Sequence, residues 1–181
     1  MAGKPKLATC ALTSCFGCHM SILDIDERIL DLIELVDFDK SPVDDIKEFT
    51  GMVDIGIIEG GVSNDENYEV LKDFRKHCKT LVCIGECALT GGVPAMRNLV
   101  PLKECMEEAY LKGPTVAHTD GIPNDPELPV LLDRVYPCHE VVKIDYFLPG
   151  CPPSADVIWA ALVALLGGKE PELSYELIKH D

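Results

Sequence analysis

The chain has 181 residues, 47% of them hydrophobic and 26% charged, with a formal net charge of −15. That length suits one well-buried core, so residues 1–181 are expected to form a single domain, and the composition excludes disorder, collagen-like repeats and coiled coil. So large a negative charge repels phosphate backbones and anionic lipid surfaces, which argues against nucleic acid and a membrane-surface role.

Taken in chain order, the first twelve residues lack an apolar secretory core and a twin-arginine pair, so export would need a signal on another chain and the cytoplasm is the expected location. Residues 6–12 read as a first strand. After a loop holding Cys15 and Cys18, apolar residues from Ile22 to Val36 recur at helical spacing with acids on the other face. Residues 53–58 form a compact apolar run that ends at Glu59-Gly60-Gly61, as a buried strand leaving a sheet would. Asn64 and Asp65 supply cap chemistry for a helix reaching about residue 78. Residues 80–85 read as the next strand and 87–94 as the loop after it, followed by a helix around 102–111.

The proline-rich stretch 113–137 gives no assignment. Residues 141–148 read as a last strand, Gly150-Cys151-Pro152-Pro153 as a sharp turn, and 154–166 as a helix closed by Gly167-Gly168. The apolar run 157–166 is shorter than the roughly 18 residues that span a bilayer, so no membrane span is expected. Strand and helix alternating in this way predict an α/β, flavodoxin-like fold: a mainly parallel sheet with helices on both faces. In such sheets the loops at the carboxyl ends of the strands share one edge, where ligands bind. Cys15 and Cys18, Glu59, Cys87 and Cys151 each fall in or beside one of those loops.

Nine cysteines are many for such a chain and odd in number, which in a reducing compartment points to metal or redox work and not to disulfides. The pair Cys15-x-x-Cys18 can chelate one centre, and Cys87 and Cys151 would complete four-coordination of iron or zinc. Their glycine and proline neighbours, Gly17, Gly91-Gly92, Gly150 and Pro152-Pro153, let backbone amides approach sulfur. A thioredoxin-type dithiol would leave Cys87 and Cys151 idle, and structural zinc more often uses two close pairs. The Cys83-x-x-x-Cys87 spacing lacks a radical enzyme's third cysteine, because Thr90 stands in its place. Cys10, Cys78, Cys83, Cys105 and Cys138 read as small buried hydrophobes, with Cys10 and Cys83 near enough to the loops to support the ligands.

Glu59 would need partners if buried, and either pins the cysteine loops or moves protons. His19 reads first as a surface histidine at a helix start and second as a donor behind Cys18. His77, His118, His139 and His180 show no ligand spacing, and neither a dinucleotide fingerprint nor a phosphate-loop lysine motif is present.

Four stretches in register resemble the small subunits of nickel–iron hydrogenases, which are related to the 20-kDa-type subunit of NADH:quinone oxidoreductase. They are Cys15-Phe16-Gly17-Cys18, Ile58-Glu59-Gly60-Gly61-Val62, Ile84-Gly85-Glu86-Cys87-Ala88 through Gly91-Gly92-Val93, and Pro149-Gly150-Cys151-Pro152-Pro153. The resemblance implies one proximal [4Fe–4S] cluster on Cys15, Cys18, Cys87 and Cys151, with Glu59, Gly17, His19 and Gly150 supporting it or meeting a partner. It also implies a nickel–iron site on a separate large subunit. The chain departs from longer members by ending soon after the cluster segment, and from the quinone-reductase relatives by lacking their tandem Cys-Cys. It looks most like the soluble NAD-reducing type, in which diaphorase subunits with FMN and further iron–sulfur clusters receive the electrons. A small subunit of another soluble hydrogenase group, or a quinone-reductase-type subunit, is the alternative.

Overall fold

A computed structural model describes residues 3–117 and 121–178. In chain order the elements are β1 (Lys6–Ala11), α1 (Gly17–Leu23), α2 (Arg28–Leu35), β2 (Asp37–Phe38), β3 (Val53–Glu59), β4 (Val62–Asn64), α3 (Asp65–His77), β5 (Cys78–Ile84) and α4 (Glu86–Thr90). There follow a 3₁₀ segment (Val93–Leu99), α5 (Leu102–Glu107) running into a π-helical turn (Glu108–Lys112), β6 (Leu131–Tyr136) and a 3₁₀ turn (Cys138–Glu140). The chain continues through β7 (Tyr146–Leu148), α6 (Ala155–Leu166) and α7 (Tyr175–Ile178).

Five strands form a parallel sheet in the order β2-β1-β3-β5-β7. Strand alternation sends side chains to two cores: Val82 and Ile84 of β5 pack with Leu32, Val157 and Ile158 on one face, and Leu81 and Cys83 with Leu71 and Phe74 on the other. Helices α2 and α6 thus cover one face and α3 the other, as the α/β reading expects. The cap on α3 is the expected one, with Asn64 Oδ1 accepting from the Asn67 amide at 2.7 Å.

Four details differ from expectation. The predicted helix over 22–36 is two helices, α1 and α2, separated at Asp24–Glu27, where Asp26 takes a φ of 56°. The 87–94 loop opens with helix α4, so Cys87 sits in a helical turn. The predicted strand over 141–148 shrinks to β7; just before it Asp145 Oδ2, and not a backbone carbonyl, accepts from the Leu81 amide (2.9 Å), along with Arg75 Nη1 (2.6 Å). The unassigned stretch supplies β6, which pairs antiparallel with β4 in a second, two-stranded sheet.

One register feature positions the site. Ala11 pairs with Glu59, Glu59 with Ile84, and Ile84 with Leu148, so a single row at the carboxyl edge crosses β1, β3, β5 and β7. With strands about 4.8 Å apart, that row spans roughly 14 Å.

Candidate metal centre

Each candidate cysteine leaves the sheet just beyond this row: Cys15 and Cys18 after Ala11, Cys87 after Ile84 and Cys151 after Leu148. The loops are bound to one another. The Glu86 amide donates to the Gly150 carbonyl (2.9 Å) and the Gly150 amide to Glu86 Oε1 (3.3 Å), joining the Cys87 and Cys151 loops. Ser21 Oγ donates to the Pro153 carbonyl at 2.6 Å, joining α1 to the Cys151 loop. Thr13 and Gly61 exchange amide–carbonyl bonds at 3.0 Å, joining the first loop to the segment after β3.

Glycine makes room for the thiols. A Cβ on Gly85 would lie 2.3 Å from Cys18 Sγ, and one on Gly92 2.9 Å from Cys87 Sγ, and both residues hold positive φ, 79° and 50°. On the predicted Gly17 a Cβ would stand 3.1 Å from Cys15 Sγ, while Gly150 packs on the Pro153 backbone and not on a sulfur. The nearby Val93 amide favours the Cys87 thiolate and partly offsets its burial.

The charges of the four thiols reach one another. Burial pushes the Cys18 thiol up to about 12, reinforced by the charges of Glu59, Cys87, Cys15 and Cys151. Cys87 is likewise raised, by burial and then by Cys151 and Cys15. Ionised together, thiolates at this edge would repel one another, a repulsion that a cationic centre would relieve. Among the described residues, no group of three or more His, Cys, Asp or Glu is gathered as tightly as a lone metal ion would need. With Zn–S bonds of about 2.3 Å, tetrahedral sulfurs would sit only about 3.8 Å apart.

Glu59 is fully buried. Its Oε1 accepts from Ser14 Oγ (2.5 Å) and its Oε2 from the His19 amide (2.7 Å), so the carboxylate grips residues flanking both Cys15 and Cys18. Burial opposes its charge, but hydrogen bonds from His19 and Ser14 outweigh it and hold the carboxyl below its ordinary range. The reading of His19 as a surface residue is corrected: it is 0% exposed, stacked at 4.5 Å on Phe16. Its neighbours in sequence gave no sign of this, since Thr9, Phe16 and Glu59 close around it only in the fold.

Of the other cysteines, Cys83 and Cys138 are buried against each other, with Cys138 Sγ donating to the Gly60 carbonyl at 3.3 Å. Cys78 is buried, whereas Cys10 and Cys105 are partly exposed. His77 contacts Asp73 and Phe49, and His139 packs edge-on to Phe147. His118 and His180 lie outside the described residues.

Comparison with known proteins gives concordant matches. The family model for the NADH ubiquinone oxidoreductase 20 Kd subunit matches residues 15–165. The NAD-reducing hydrogenase HoxS subunit delta of Cupriavidus necator is 46% identical over 99% of this chain and 87% of its own length. A subunit of the F420-non-reducing hydrogenase of Methanothermobacter thermautotrophicus is 43% identical over 96% of this chain, which spans 57% of that protein. Among solved structures, a chain of a NAD+-reducing [NiFe]-hydrogenase in the H2-reduced state superposes with a TM-score of 0.94 at 48% identity, covering 99% of this chain and all of that one.

Proposed function

The chain belongs to the family of the NADH:ubiquinone oxidoreductase 20-kDa subunit, on its hydrogenase small-subunit side, and we propose that it relays electrons in a NAD-reducing nickel–iron hydrogenase through one [4Fe–4S] cluster. The observation that carries this reading is the single edge row that delivers Cys15, Cys18, Cys87 and Cys151 to one rim, with Gly85 and Gly92 leaving space against two of their sulfurs. Residues 1–181 act as one cluster-binding unit.

The four thiolates would hold the cluster, which when bound takes up and gives back electrons one at a time. The protein's own part is to place and shield. Cys18 and Cys87 are drawn into the fold, the Val93 amide favours the Cys87 thiolate, and Glu59 fixes the first loop. Such contacts set a cluster's potential. Hydrogen cleavage belongs to the nickel–iron large subunit, and hydride transfer to NAD+ to a diaphorase module carrying FMN and further clusters.

A partner is also called for by what the rim leaves open. Cys15 and Cys151 are exposed, and so are Phe16, Met20, Val93, Met96 and Leu99, the last at 86%. Apolar side chains bared on the segments that follow the candidate ligands Cys15, Cys18 and Cys87 suit a surface that another subunit covers. No helix among the described residues is long and apolar enough to cross a membrane, and we place the complex in the cytoplasm.

The test is to isolate the intact complex and measure nickel, iron, acid-labile sulfide, flavin and H2-dependent NAD+ reduction. Cys151→Ser is expected to lose the cluster's iron and sulfide and most of the H2-dependent activity. An unchanged four-iron content in this subunit would overturn the ligand assignment. The similarity to the Methanothermobacter protein favours one second reading, membership of another soluble hydrogenase group, which the identity of the co-purifying subunits decides.

A further inference from the structure

Four polar residues lie almost wholly out of water behind the ligand loops: Glu59 and His19 at 0% exposure, Thr9 and Ser41 at 1%. They form a continuous chain. His19 Nδ1 stands 2.9 Å from Glu59 Oε2, its Nε2 lies 3.0 Å from Thr9 Oγ1, and Thr9 Oγ1 lies 2.8 Å from Ser41 Oγ. The Val43 amide donates to Ser41 Oγ at 3.2 Å and closes the far end. Nδ1 is the one buried side-chain nitrogen or oxygen among the described residues without an aligned hydrogen-bond partner, so it approaches the carboxylate closely but off the hydrogen-bond axis.

Charge sets the direction of the chain. An ionised carboxylate only accepts, so the ring nitrogen facing Glu59, Nδ1, is the one that carries a proton in the tautomer this arrangement favours. Nε2 is then the acceptor of the Thr9 hydroxyl, and Thr9 Oγ1 in turn accepts from Ser41. Each link polarises the next and strengthens the pull of Nδ1–H on the carboxylate.

Glu59 occupies the middle of the edge row, between the strand leading to Cys15 and Cys18 and the strand leading to Cys87. A negative charge fixed there, in a site of low dielectric, favours whichever state of a neighbouring cluster carries less negative charge, which is the oxidised one. We propose that Glu59 is a positioning residue whose fixed charge lowers the potential of the cluster, and that the His19–Thr9–Ser41 chain holds that charge in place and damps it. The inference rests on the cluster reading above.

Two substitutions push in opposite directions. Glu59→Gln removes the charge while keeping the side chain's length, and should move the cluster's midpoint potential upward. Thr9→Val is nearly isosteric and suits a strand, and leaves every residue touching Glu59 in place. It takes away the donor to Nε2, weakens Nδ1 as a counterweight, and should move the midpoint downward. Thr9→Ser restores the hydroxyl and should return it to the wild-type value.

The measurement is a redox titration of the intact complex followed by electron paramagnetic resonance, using the signal that Cys151→Ser abolishes, with iron and sulfide assayed on the same samples. Opposite shifts in Glu59→Gln and Thr9→Val at full iron content, with recovery in Thr9→Ser, are the expected result. Midpoints unchanged in both variants at full iron content overturn the inference and leave the cluster reading standing, whereas a wild-type subunit without iron overturns the cluster reading itself. Should Glu59→Gln fail to hold iron, the Thr9 pair decides, since neither variant alters a group in contact with Glu59.

Discussion

At the scale of single residues the site depends as much on what is missing as on what is present. Gly85 has no side chain, and Cys18 Sγ fills the space where its Cβ would be. Gly85→Ala would also force an L side chain into a φ of 79°, a cost of about 1–2 kcal/mol before the clash is counted. We expect this variant to lose most of its cluster iron and at least tenfold in H2-dependent activity, and iron analysis of the purified complex checks it. Retention of the wild-type iron content would show that the two groups can separate. That the cysteine loops would share one edge of the sheet was legible in the sequence, because loops after parallel strands converge by topology. The role of Gly85 was not, because it rests on the approach of a sulfur more than sixty residues distant in the chain. The burial of His19 was hidden for the same reason.

At the scale of elements, strong local signals were readable and weak ones were not. Helix α3 carries its own start in Asn64, acids in its first turn and bases in its last, a pattern that favours the helix dipole. Asn64→Ala should cost about 1 kcal/mol and lower the unfolding temperature by roughly 2–4 °C, readable by differential scanning fluorimetry of the complex. Short elements gave no such cue. Strand β4 has three residues, and β6 emerges from a run rich in proline, so their pairing is fixed by the tertiary fold and by Arg97, whose guanidinium donates to the Ser63 and Leu132 carbonyls. The overlong reading of the last strand has a similar cause. Val141, Val142 and Ile144 are apolar enough for a strand, but all three pack into the core as part of a turn.

At the scale of the whole molecule, an excess of negative charge is held together by a few well-placed pairs. Asp39 is buried beside the start of the sheet, where Lys6 Nζ donates to Oδ2 at 2.9 Å and Thr50 and the Lys40 amide also donate. Burial works against its charge, yet the hydrogen bonds from Thr50 and Lys6 prevail and lower the carboxyl to about 2. Because the folded value lies below the unfolded one of 3.8, the stabilisation, about 2 kcal/mol, is complete above pH 3.8 and disappears as pH falls towards 2. Asp39→Asn should therefore melt lower than wild type at pH 7, and the gap should close between pH 4 and pH 2. Comparing the two proteins under identical treatment cancels the acid loss of sulfide common to both. A gap of constant size across that range would mean that Asp39 acts through shape and not through its charge.

The uneven exposure of the four thiols bears on how the assembly is built. Cys18 and Cys87 are half-sunk in the fold, while Cys15 and Cys151 look outward among bare apolar side chains. A large inorganic core can enter only from that open side, and the subunit that later seals it would shut the same door. On the proposed cluster reading, maturation would have a compulsory sequence, inorganic loading first and docking second, and a complex closed prematurely around an empty rim would be a dead end.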